Sequence, residues 1–310
     1  MAITSLPGQP FGAVVELLDV GDLDDPIVCN ALRAAWIDRG LLVVRGLLSD
    51  QAAHVRLAAC FGEVEVHPYR VAKPGLLPQV TDIIASDAEG DIYEVGGHER
   101  IGWLPWHFDL CYSDRINHGG ILRAVKLPGE GGDTGFIDQI AAYAALPADL
   151  QRRIRGLNVI YEMEFDASRM KVGGTRGLRQ LRTQENTRRF TGLADDLPRA
   201  VHPLVYCQRG TGRPVLHLSP WFAWGIEDMD IEKGRALLDE VIAQCTQSRL
   251  AYFHRWQTGD YVVWDNWRMM HCATGIPPGQ TRHLQRTAIG GDYGLGRMES
   301  RASAAPELIV

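Results

Sequence analysis

The sequence predicts a mainly β fold, an antiparallel sandwich or barrel with helices on its flanks. Two observations predict it. From about residue 80 onward, short apolar runs alternate with glycine-marked turns, the texture of many short strands. Before that point the chain alternates strand and helix patterns, which predicts α/β packing against one part of the sheet.

In chain order, Gly12 to Asp19 reads as the first strand, carried by Val14, Val15, Leu17 and Leu18. Asp25-Pro26 predicts an N-cap with proline in the first turn. Ile27, Ala31, Leu32, Ala35 and Trp36 follow at helical spacing, and Gly40 suits the stop. Leu41 to Val44 reads as a short buried strand, and Ser49 is expected to cap a second helix that runs to Phe61. Later strands are expected at 79–85, 121–127, 157–165, 201–206, 214–218, 250–254, 261–264 and 282–289. Two helices are expected among them: Ile140 to Ile154, broken at Pro147, and Ile231 to Cys245, with Leu238, Val241, Ile242 and Cys245 on one stripe.

Residues 166–192 stand apart. They hold Arg169, Lys171, Arg176, Arg179, Arg182, Arg188 and Arg189 against Asp166 and Glu185, with Gly173-Gly174 as a hinge. Two readings stay open: a solvated surface loop, and a mobile basic lid that closes over an anionic substrate.

The bulk properties narrow the function classes. A formal net charge of −6 argues against nucleic-acid binding, which needs a basic footprint. No apolar run reaches the roughly 18 residues of a membrane span, and the first residues lack the basic-then-apolar pattern of a secretory signal. Six cysteines are scattered without a Cys-x-x-Cys pair, so they are expected to be buried thiols in the cytoplasm.

The chemistry-bearing residues are spread along the chain. In a strand, His107 and Asp109 would point to one face and offer an imidazole nitrogen and a carboxylate to one metal ion. Two His and one carboxylate, with the opposite coordination face open, suit a non-haem iron centre. Alone, His-x-Asp is a weak signal. Gly131-Gly132-Asp133-Thr134 allows a tight turn, and places a hydroxyl at the start of a strand. Further on come Trp264-Asp265-Asn266, His271, and then Arg282 and Arg286. The two arginines lie an even number of residues apart, so in one strand they face the same way. A guanidinium there is suited to grip a carboxylate bidentately. Asp265 and Asn266 are expected to shape the turn before His271. A zinc hydrolase using the same triad, or a non-catalytic binding protein, stays open on these residues alone.

Taken together in this order and spacing, these runs resemble the taurine dioxygenase / 2,4-dichlorophenoxyacetate dioxygenase family of Fe(II)- and 2-oxoglutarate-dependent enzymes. The likeness extends from the Gly12 strand to Gly291-Asp292 and includes Phe61-Gly62-Glu63 before His67-Pro68. It implies one domain over residues 1–310 with a double-stranded β-helix, the jelly roll of cupin-like oxygenases. It implies His107, Asp109 and His271 as iron ligands, and Arg282 with Thr134 on the far carboxylate of 2-oxoglutarate. O₂, the third reactant, would oxidise that cosubstrate to succinate and CO₂ while a prime substrate is hydroxylated. Family members often pair or form tetramers, so a homo-oligomer is expected.

The resemblance also implies that Arg286 holds the anionic group of the prime substrate, helped by His67. The chain departs from the family pattern nearby, with Arg70 in place of a tyrosine and Trp103 in place of an asparagine. A second cation and a large apolar wall point to a small anionic molecule with a sizeable aromatic or aliphatic body. Trp221, Phe222 and Trp224 are further candidates for that wall, or else part of the core.

Overall fold

The computed structural model describes residues 1–66, 73–185, 187–188 and 197–299. Two sheets face each other across an apolar layer. The larger runs Ala2–Ser5, Ala13–Glu16, Leu41–Val44, Tyr261–Asp265, Gly119–Lys126, Arg282–Ile289, Val64–Glu65, with Thr81–Ala85 also paired to the Arg282 strand. The smaller runs Arg179–Arg182, Ile92–Val95, His98–His107, Met269–Ile276, Thr134–Asp138, Ala251–His254. Phe136 of the small sheet meets Trp264 of the large one, with Leu122, Leu284 and Met269 around them. This is the expected jelly roll.

The strand Leu41–Val44 shows why the opening third packs as it does. All four residues are buried, because alternate side chains serve two layers. Leu41 and Val43 enter the layer between the sheets, while Leu42 and Val44 pack under Leu32, Trp36 and Leu57 of two helices. The helix Pro26–Arg39 begins at the predicted cap, where the Asp25 carboxylate accepts the Ile27 N–H at 2.8 Å, and ends at Gly40 with φ +77°. The second helix, Gln51–Ala59, is capped by Asp50 and not by Ser49. The helical stretch around Pro147 divides into Gln139–Ala145 and Ala148–Ile154, and Ile231–Cys245 forms as expected. That last helix covers a third core built around Tyr161, Phe108 and Leu216.

Two departures from strict alternation matter for the site. Gly102 and Gly275 sit on neighbouring strands with φ +69° and +68°. A Cβ at Gly102 would lie 2.9 Å from Ala85, so only glycine fits there. The register between the two strands shifts at a bulge between His271 and Ala273, opposite His107 and Leu104. Separately, the His98–His107 strand stops at His107. Asp109 lies in the following turn, where Leu110 adopts φ +58°. The expectation that His107 and Asp109 alternate within one strand is therefore corrected: the turn, not the pleat, brings the carboxylate back.

Residues 166–185 are held by local contacts. Arg179 pairs with Glu94, and Arg182 donates to the carbonyls of Asp87, Ser86 and Gly90 as its strand joins the small sheet's edge. Not every cysteine is a lone buried thiol: Cys29 and Cys60 pair in a disulfide, and Cys207 is exposed. Among the described residues, no helix is long and apolar enough to cross a membrane.

Candidate metal centre and acid pocket

His107 closes its strand with its ring already oriented. Its Nδ1 lies 2.8 Å from the Pro105 carbonyl oxygen, a contact that needs an N–H, so Nε2 keeps its lone pair. His271 sits directly across the ladder from His107, ring centroids 4.2 Å apart. Asp109 completes the set, with Oδ1 3.8 Å from His107 Nε2 and Oδ2 3.6 Å from His271 Nε2. One ligand atom from each lies within 4.8 Å of the others. Burial holds both imidazoles below their ordinary pKa, that of His271 at about 3, so each is neutral and offers a lone pair. Two neutral imidazoles and one carboxylate converging from a buried wall fit a divalent metal ion.

Asp109 is held from two directions. Arg286 places Nη2 2.8 Å from Oδ2 and Nη1 3.4 Å from Oδ1. On the backbone side stands Asn266, fully buried. Its Oδ1 accepts the Asp109 N–H at 2.9 Å, while its Nδ2 donates to the Asp109 carbonyl at 3.1 Å. The same amide donates to the Asn117 carbonyl at 3.2 Å. Asp265 does shape the turn as expected, accepting the Trp267 N–H at 3.0 Å, but Asn266 does more. It fixes the backbone of a residue in the metal set, 157 positions away. Spacing along the chain carries no signal for such a contact.

The other end of the cavity is built on the Arg282 strand. Arg282 and Arg286 face the same space of about 100 Å³, as their even spacing predicts. Arg282 donates to the Thr134 hydroxyl at 2.9 Å. No carboxylate among the described residues lies within ion-pair distance of it, and burial lowers its pKa to about 10. Asp133 acts on it only from beyond ion-pair distance, and a buried cation without a paired carboxylate is costly, so the pocket suits an anionic group from outside the protein. Ile83, Leu104, Leu122 and Trp264 complete the walls. Trp264 is seated flat over Gly120, where a Cβ would overlap its indole.

Trp103 does not line this space. The register shift between Leu104 and His107 turns it instead to a second cavity of about 320 Å³, lined also by Trp106, Met170, Ile242 and Phe253. Leu104 takes the position towards the metal set. Trp221 meets the His107 ring edge-on at 5.3 Å and Phe222 follows at 6.2 Å, whereas Trp224 lies beneath the Arg199 guanidinium at 3.9 Å. His67 and Arg70 lie outside the described residues.

Comparison with known proteins agrees with this geometry. The chain is 29% identical over 293 residues to the alpha-ketoglutarate-dependent 2,4-dichlorophenoxyacetate dioxygenase of Cupriavidus pinatubonensis, covering 92% of this chain and 97% of that one. It is 28% identical over 308 residues to pentalenolactone F synthase of Streptomyces arenae, covering 98% and 100%. A crystal structure of a taurine dioxygenase from Burkholderia xenovorans shares the fold with a TM-score of 0.73 at 22% identity, over 97% of this chain and 96% of that one. The profile of the family described as "Taurine catabolism dioxygenase TauD, TfdA family" matches residues 2–288. With a profile spanning nearly the whole chain and relatives matched end to end, this chain belongs to the TauD/TfdA dioxygenase family.

Proposed function

We propose that this chain is a dioxygenase that uses Fe(II), 2-oxoglutarate and O₂ to hydroxylate a small organic anion with a sizeable apolar body. His107, Asp109 and His271 hold the iron, which when bound supplies the redox chemistry. Arg282 and Thr134 grip the far carboxylate of 2-oxoglutarate, the guanidinium as a bidentate partner and the hydroxyl as an added donor. Arg286 holds the Asp109 carboxylate in orientation, and presents its remaining N–H group to the anionic end of the prime substrate. His67 and Arg70 add to that anion contact. Ile83, Leu104 and Leu122 form the wall that excludes water, in place of Trp103. Residues 166–192 serve as the cover, with the strand Arg179–Arg182 anchoring it to the small sheet.

The observation that carries the reading is a buried Arg282, with no ion-paired carboxylate among the described residues, beside a set of two neutral histidines and one carboxylate. An anionic prime substrate accords with a relative named for 2,4-dichlorophenoxyacetate. The cytoplasm is the compartment we assign, since Cys111, Cys207, Cys245 and Cys272 are free thiols and Cys207 is exposed. A homodimer or tetramer is the assembly we assign, to be read by sedimentation.

Two measurements test this. Anaerobic addition of Fe(II) and 2-oxoglutarate should give a weak visible charge-transfer band, lost in His107→Ala. A screen of aryloxyacids, sulfonates and sulfate esters should find one class that stimulates succinate release. A chain with no band, or one that hydrolyses esters with zinc alone, would sink the proposal.

A further inference from the structure

Thr134 has an unusual set of neighbours for a residue expected to bind an anion. A hydroxyl carries one proton to donate and two lone pairs to accept with. In this structure the Arg282 Nη2 donates to the Thr134 Oγ1 at 2.9 Å, and the Trp256 Nε1 donates to it at 3.1 Å. Both acceptor positions are therefore filled. The remaining proton has no choice but to point away from both donors, and Thr134 is itself a wall of the acid pocket.

We infer that Trp256 is a positioning residue for 2-oxoglutarate, its indole N–H turning the Thr134 hydroxyl into a committed donor toward the cosubstrate carboxylate. This rests on the assignment of Arg282 and Thr134 to that carboxylate. Without the indole, the hydroxyl is free to rotate and to present a lone pair to the anion, which repels it. Trp256 never touches the ligand in this scheme; it acts through Thr134.

The surroundings hold the indole for this task. Trp256 follows the strand Ala251–His254, in which His254 is the register partner of Thr134. The Trp256 ring stands edge-on to the His254 imidazole, centroids 4.7 Å apart at 87°. That imidazole is pinned on both nitrogens, by Asp260 Oδ2 at 3.0 Å and by the Tyr252 hydroxyl at 3.0 Å. Asp260 Oδ2 also accepts the Gln257 N–H at 3.0 Å, fixing the turn immediately after Trp256. The pose is thus set by a buried carboxylate two contacts from the pocket.

The test is a binding measurement on the full chain loaded with Mn(II) and titrated with N-oxalylglycine, an unreactive analogue of 2-oxoglutarate. Trp256→Phe keeps an aromatic ring but removes the donor together with part of the indole's bulk, and the Thr134→Val background separates the two. The phenylalanine variant should weaken analogue binding by about tenfold, the scale of one hydrogen bond, with Mn(II) affinity unchanged. Thr134→Val should weaken it too, and Trp256→Phe should then add less than about twofold, because the indole has lost what it acts on. Arg282→Ala is measured alongside. If Arg282→Ala leaves the affinity intact, the acid pocket itself is wrong and this inference falls with it. If Arg282→Ala weakens binding while Trp256→Phe does not, only the inference falls. Equal effects of Trp256→Phe with and without the Thr134 hydroxyl would reduce Trp256 to packing and overturn it as well. Should the phenylalanine variant not fold, the indole ¹⁵N–¹H resonance of Trp256 in the unaltered chain carries the test. It should move when the analogue binds and shift upfield in Thr134→Val; indifference to both overturns the inference.

Discussion

Arg282 and Arg286 lie on one strand, four residues apart, and look into one cavity, yet their electrostatic settings are opposite. Arg286 is satisfied by the Asp109 carboxylate through two N–H groups. Among the described residues Arg282 donates only to a neutral hydroxyl, and it is buried deeply enough that its proton is held less firmly than usual, with a pKa of about 10. The difference teaches how one strand can serve two tasks. A guanidinium already matched to an internal carboxylate organises the metal set. One left unmatched in a buried pocket is a standing demand for an acid.

Arg282→Ala gives the largest expected effect. It should cost about 2–5 kcal/mol of 2-oxoglutarate affinity, the range for losing one partner of a buried charge pair, with metal affinity unaltered. A matching loss of metal would erase the contrast between the two arginines.

Arg286→Ala should act on the other side, lowering metal affinity by roughly 10–100-fold, as changes behind a ligand typically do. At saturating iron it should still consume 2-oxoglutarate, but uncoupled from the prime substrate. If its metal affinity matches the wild type, the Asp109 contact is incidental.

Asn266→Ala should lower metal affinity by about tenfold through the Asp109 backbone, with analogue binding at saturating metal preserved. Wild-type metal titration curves would show that the turn holds Asp109 without it.

The last effect is read in stability, not in binding. Burial pushes the Asp265 carboxyl up from 3.8 to about 7. Because the folded value is above the unfolded one, the native state binds the proton more tightly. The resulting penalty is absent below about pH 4, grows from there, and is complete above about pH 7. The Tm should therefore fall between about pH 4 and 7, and Asp265→Asn should flatten that slope. An unchanged slope in the variant would assign the pH dependence to other groups.

Much of this was legible from residue types and order. Arg282 and Arg286 share a face because four is an even number and their strand pairs with Thr81–Ala85 in unbroken register over that span. His271, Thr134 and His107 were legible as parts of an ordered set. What escaped the sequence is whatever depends on a break in regularity or on distant chain segments. Trp103 turns away from the metal set because a bulge between Leu104 and His107 shifts the register against the partner strand. Asp109 reaches His107 from the turn after the strand, not through alternation within it. Asn266 and Trp256 act on partners 157 and 122 positions away. The Cys29–Cys60 pair forms because two helices lie side by side, which spacing does not reveal.

The seating of Trp264 over Gly120 has a bearing on how this pocket can be retargeted. Any side chain at residue 120 would evict the indole, and any change of the indole would open a hole over bare backbone. The two positions can change only as a pair. Ile83 and Leu104, by contrast, present ordinary aliphatic ends to the same space. Laboratory libraries aimed at new substrates should vary those two and leave the tryptophan alone.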